Sequence, residues 1–267
     1  MTARYVTAAT VQALEARLSG RDKAVLKSLS DLRFMSGSQL TRMHFDGTDQ
    51  RTARRALLRL VRLDVLARLP RVVGGVRAGS GGFVYHLGLA GYRLAMERGW
   101  QPLRRRRRSL APGTLFLAHS LQVAELHTVL TEAERSGRLE LLELAAEPAC
   151  WQGYTGNRGQ AATLKPDSFG RFGIGDFEDS YWLEVDMGTE GSGAIDRQLR
   201  RYLDFQASGR IQAERGVFPR TLWLVPGAAR AWVIEGCIER LPRPSRELFA
   251  AAAFPELLHV IGDPGNV

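Results

Sequence analysis

The chain has 267 residues, 45% of them hydrophobic and 24% charged, which are globular values at a length that suits two ordinary domains. No apolar run reaches the ~18 residues of a membrane span, the first ten residues lack an apolar core of signal-peptide type, and two distant cysteines, Cys150 and Cys237, exclude a disulfide framework or a Cys-rich zinc site and fit a reducing cytoplasm. The net charge of +9 is divided: residues 1–110 carry 22 Lys/Arg against 7 Asp/Glu, and residues 111–267 carry 15 against 21. A basic front half suits a polyanion, nucleic acid first, because neutralised phosphates release condensed counterions.

In chain order, residues 7–19 form an N-terminal helix with Val11, Leu14 and Leu18 on one side, suited either to packing on the core or to a dimer seam. Val25, Leu29 and Leu32 then share one helical face over residues 22–32. Ser38 is a good N-cap for a short helix through Phe45. After the turn Asp46-Gly47-Thr48-Asp49, residues 50–63 form the clearest amphipathic helix. Ala53, Leu57, Leu60 and Val61 line one face, and Arg51, Arg55, Arg59 and Arg62 the other, with Arg54 on the flank. Residues 65–73 and 83–87 read as strands joined by a Gly-rich basic tip at 74–82.

Helix, short helix, turn, Arg-rich helix and glycine-tipped hairpin is the order of a winged helix-turn-helix. The Arg-rich helix would enter a major groove with Gln50, Arg51, Arg54, Arg55 and Arg59, and the wing would bring Arg71 and Arg77 to phosphate or the minor groove. A closing helix over residues 90–98 ends this domain, assigned to residues 1–99. The linker, residues 100–113, carries Arg104, Arg105, Arg106, Arg107 and Arg108, which serve either as a solubilising hinge or as a strap on DNA.

Residues 114–267 read as a separate domain. A long helix over 114–136 precedes a strand at 139–144 and a polar stretch at 151–160. Pro166-Asp167 is assigned to a strand within 162–169. Residues 180–187 form a strong strand carrying Glu184 and Asp186, whose side chains, two apart, share a face. A helix over 193–208, a strand at 221–225, a helix over 229–240 and a last strand at 257–261 complete the domain.

Pro-Asp in one central strand and Glu-x-Asp in the next resembles the PD-(D/E)xK nuclease superfamily. That resemblance implies Mg2+ on Asp167 and Glu184, with a lysine beside them to activate water. Here Asp186 stands where the lysine is expected, and Lys165 is the basic group placed to substitute. The whole order, together with the stretch Phe116 to Leu126, the segment Glu184-Val-Asp-Met-Gly-Thr-Glu190 and Gln198-Leu-Arg-Arg-Tyr202, resembles the replication-relaxation family over roughly residues 22–240. These are bacterial plasmid and mobile-element proteins, and their pattern usually has Lys where Gln198 stands.

The expectations are therefore an α+β protein with an N-terminal winged helix and a C-terminal restriction-endonuclease-like α/β domain around a mixed sheet. It would act as a cytoplasmic, homodimeric accessory protein binding double-stranded DNA in plasmid or mobile-element replication or mobilisation. A relaxase or replication protein is the implied partner, Mg2+ the implied cofactor, and Asp167, Glu184, Asp186 and Lys165 the catalytic set of an active enzyme. The alternatives are a Mg2+-dependent endonuclease or nickase that uses that set, and a winged-helix transcription regulator.

Overall fold

A computed structural model describes residues 7–69, 82–100, 112–157 and 159–262. The wing tip with Arg71 and Arg77, and the run Arg104 to Arg108, lie outside the described residues. The architecture is α+β with a mixed central sheet. The chain divides into two compact units, residues 1–128 and 129–267, and the division falls inside the long helix α6.

The first unit runs α1 (Ala8–Glu15), α2 (Gly20–Leu32), β1 (Met35–Ser36), α3 (Gly37–His44), α4 (Gln50–Arg62), β2 (Leu66–Arg68), β3 (Val84–Leu87), α5 (Leu89–Glu97) and the start of α6 (Thr114–Arg135). Local chemistry sets each start. Ser19 caps α2 in a reciprocal box with Asp22, and Asp49 accepts from the Thr52 amide at 3.0 Å to open α4. The cap of α3 is Ser36, not Ser38: Ser36 and Gln39 exchange side-chain and backbone hydrogen bonds, so Ser-x-x-Gln wins one turn earlier. Leu26, Leu29, Leu40, Ala53, Leu57, Leu60 and Leu66 are buried together as the core.

The strands form an antiparallel sheet in the order β1-β3-β2. β1, two residues long, has too little pattern to be read from sequence. Gln39 is saturated: its amide nitrogen donates to the Leu121 carbonyl (2.8 Å) and to Glu125 (3.0 Å) on α6, and Arg42 also pairs with Glu125. After β3, α5 starts against Asp64, which has φ 55° and whose carbonyl accepts from the Ala90 and Gly91 amides. A Cβ on Gly91 would lie 2.0 Å from the Val65 carbonyl oxygen, so only glycine permits this approach.

The second unit contains β4 (Glu140–Ala146), β5 (Gln152–Thr155), β6 (Ala161–Leu164), β7 (Ser168–Ile174), β8 (Phe177–Val185), α7 (Ser192–Ala207), α8 (Arg210–Arg215), β9 (Arg220–Val225), α9 (Ala228–Ile238), α10 (Arg243–Arg246), β10 (Phe249–Ala253) and α11 (Leu257–Gly262). Its sheet has the order β10-β9-β8-β7-β4, parallel from β10 to β8 and antiparallel beyond. Trp182, Trp223, Tyr202, Phe205, Phe169 and Phe249 pack edge-on or tilted between the sheet and α7 and α9.

Four assignments change. The polar stretch at 151–160 supplies one strand of a hairpin, β5 with β6. Lys165-Pro166-Asp167 is the connection between β6 and β7 rather than a strand, since proline cannot donate to a ladder. The strand β7 itself, rich in glycine, carries no clear alternation in sequence. The last strand is β10; residues 257–261 are the helix α11, whose short apolar run Leu-Leu-His-Val-Ile cannot be told from a strand by periodicity.

Candidate functional site

On α4, the burial of Ala53, Leu57 and Leu60 turns the opposite side outward. Gln50, Arg51, Arg54 and Arg55 are exposed, and the three arginines make no ion pair within 4.0 Å among the described residues. Arg59 differs from them. Its guanidinium is held at 2.5 Å by Asp22, whose side chain is 3% exposed. Burial works to raise the Asp22 carboxyl, but hydrogen bonds from Ser19 and Arg59 outweigh it and hold the group below the usual carboxylate value. Arg59 thus anchors α4 to the start of α2.

In the second unit, β8 and the connection before β7 bring Asp167 and Glu184 together. Ser168 pairs in register with Leu183, and the Asp167 carboxylate accepts from the Val185 amide at 2.8 Å. Glu184 is buried and accepts the Tyr202 hydroxyl and the Gln198 side chain, both from α7. Burial, with Asp167 adding, pushes the Glu184 carboxyl well above the usual range against those two hydrogen bonds. Cys150 lies against the same pair and donates to the Pro166 carbonyl at 3.2 Å; burial foremost raises its thiol, so it is no ready nucleophile.

Asp186 and Lys165 go elsewhere. Asp186 lies just past the end of β8, and both its oxygens are taken. Oδ1 accepts from Arg230 Nε (2.9 Å) and the Gly188 amide, and Oδ2 from Arg230 Nη2 (2.6 Å). The side chains of Asp186 and Arg230 are 7% and 15% exposed. The Lys165 ammonium sits 4.8 Å from the centre of the Trp151 ring. It does not share a strand face with Asp167, because neither residue is on a strand.

A divalent Mg2+ site of nuclease type needs hard oxygens free to complete an octahedron. Here Glu184 is occupied by α7 donors and Asp186 by a guanidinium, and no group of three His, Cys, Asp or Glu among the described residues could hold a metal ion. The donor set as it stands does not fit Mg2+. Arg230 was the residue that sequence did not disclose, since it lies 44 positions beyond Asp186. A signal was present: it is the only cation of α9 and sits in its first turn, where the helix dipole disfavours positive charge, so it needed a carboxylate partner.

The molecule thus pairs a basic helical unit with a mixed-sheet unit that holds the buried Glu184 beside the half-buried Asp167. The replication-relaxation family pattern matches residues 26–221, a span that takes in α4, Asp167, Glu184 and Tyr202, and the chain belongs to the replication-relaxation family. Membership suggests a role in plasmid or mobile-element replication. No curated protein and no solved structure matches the chain.

Proposed function

We propose that the protein is a double-stranded DNA-binding accessory factor of plasmid or mobile-element replication or mobilisation. In this reading the first unit is a winged helix, and the nuclease-like second unit has lost cleavage. The observation that carries it is α4: after a capped turn, Arg51, Arg54 and Arg55 stand exposed, with no ion pair within 4.0 Å among the described residues, on a helix whose other face is core. The β2–β3 hairpin that follows is in the position of a wing. Gln50, Arg51, Arg54 and Arg55 read base edges or phosphates in the major groove, while Arg59 positions the helix. Arg71, Arg77 and the run Arg104 to Arg108 supply further phosphate contacts. Two copies bind paired half-sites, and a relaxase or replication protein docks on the assembly.

The test is affinity for a duplex across salt. A protein making 6–10 phosphate contacts loses roughly 10³–10⁵ in affinity between 50 and 200 mM salt. Replacing Arg51, Arg54 and Arg55 by Gln should remove most sequence-selective binding, and a flat salt response would reject the reading. Loss of cleavage is supported by Arg230 on Asp186 and by the seat of the Lys165 ammonium over the Trp151 ring. Supercoiled plasmid incubated with Mg2+ or Mn2+ should stay intact; nicking that disappears in Asp167→Ala would establish the endonuclease instead.

A further inference from the structure

The second unit sorts its arginines. Arg171 pairs with Glu178, Arg215 with Glu143, Arg230 with Asp186 and Arg240 with Asp196, while Arg210 donates to the Gly153 carbonyl. On α7, Arg197, Arg200 and Arg201 are all exposed and form no ion pair within 4.0 Å among the described residues. They occupy the face opposite Ile195, Leu199, Tyr202 and Phe205, which are buried in the core. Positions three and four apart on a helix are neighbours, so the three guanidiniums form one cluster. The Arg197 head lies 3.8 Å from the position a Cβ on Gly193 would take, which extends the cluster back over the first turn of α7. Asp204 shares the face one turn on, exposed and likewise without an ion pair within 4.0 Å among the described residues, and leaves the cluster net positive.

A half-chain with excess acid that pairs four other arginines with carboxylates, yet leaves these three adjacent cations without an ion pair within 4.0 Å among the described residues, presents a surface complementary to a polyanion. We infer that the α7 face of Arg197, Arg200 and Arg201 is a second nucleic-acid contact, made to the phosphate backbone of duplex DNA without reading its sequence. Guanidiniums suit phosphate oxygens in geometry and charge. The inference rests on the reading of the protein as DNA-binding and adds to it a site in the second unit.

The full chain carrying Arg197→Gln, Arg200→Gln and Arg201→Gln is titrated with labelled duplex by fluorescence anisotropy over 50–200 mM salt, beside wild type and the α4 triple variant. Loss of three phosphate contacts should make the log–log salt slope shallower by about 2 to 3. Affinity should fall about tenfold or more, equally for specific and scrambled duplexes. The Arg→Lys triple at the same positions should keep the wild-type slope, which guards against a folding artefact. Wild-type slope and affinity in the α7 Gln triple, with binding lost in the α4 triple, overturn this inference and leave the DNA reading standing. A flat salt response in wild type overturns both. An unchanged DNA isotherm with lost sedimentation on anionic phospholipid vesicles overturns it in favour of a membrane surface.

Discussion

Asp186 and Arg230 are mostly buried and hold each other by two parallel hydrogen bonds. Removing one partner of such a pair strands a charge, which costs about 3–5 kcal/mol. Arg230→Ala should therefore lower the unfolding free energy by that order in chemical denaturation. Asp186→Asn in the Arg230→Ala background should recover part of the loss. At Gly91, a Cβ would strike the Val65 carbonyl oxygen, which cannot swing aside. Gly91→Ala should cost about 1–3 kcal/mol, the range for overpacking, read as a drop in denaturation midpoint.

Two buried groups act in opposite directions on pH. Burial lowers the His127 imidazole to about 4. The folded state therefore refuses a proton that the unfolded chain accepts near 6.5, and this contribution, on the order of 3 kcal/mol, is present above pH 6.5 and lost as pH falls toward 4. Glu184 has the reverse sign. Its raised carboxyl holds a proton in the folded state, so its contribution is complete below the ordinary glutamate value and is lost as pH rises through the folded one. Unfolding measured from pH 4 to 8 should show a His127→Phe variant with a flattened acid limb, whereas Glu184→Gln should flatten the decline on the alkaline side.

At the scale of elements, legibility followed chemistry. The helix α4 was clear because its apolar positions recur at 3.6-residue spacing and Asp49 caps it. β8 was clear from its run of aromatic and branched residues, and β9 likewise. The strands β1 and β7 were not, one for its length and the other for its glycines. Asp167 and Glu184 could be paired from sequence by the Pro-Asp and Glu-x-Asp resemblance, although Asp167 lies in the connection just before β7 and not on a strand. The hold of Arg230 on Asp186, and of Asp22 on Arg59, could not, because side-chain pairs 44 and 37 positions apart leave no local mark. The Ser36–Gln39 box that opens α3 offers a check: Ser36→Ala should cost about 1 kcal/mol, the usual loss of an N-cap, measured by thermal unfolding.

At the scale of the whole molecule, charge is the organising variable. On the proposed DNA-binding reading, the excess cations of the front half and the exposed arginines of α7 are carried by a chain of net charge +9, so encounter with DNA should be fast at low salt and slow sharply as salt rises. Stopped-flow association rates at several ionic strengths should fall steeply, while dissociation should change less. Sedimentation equilibrium should report a dimer when paired half-sites are supplied.

Lysine is so scarce that its placement has a practical outcome. The sequence holds only Lys23, Lys27 and Lys165, and Lys165, with its ammonium over the Trp151 indole, is the sole primary amine in the second unit. An amine-directed acylating dye therefore tags that unit at one address, two residues from Asp167. Tagging removes the positive charge from the indole face of Trp151, one of five tryptophans, so the summed tryptophan emission should shift as labelling proceeds.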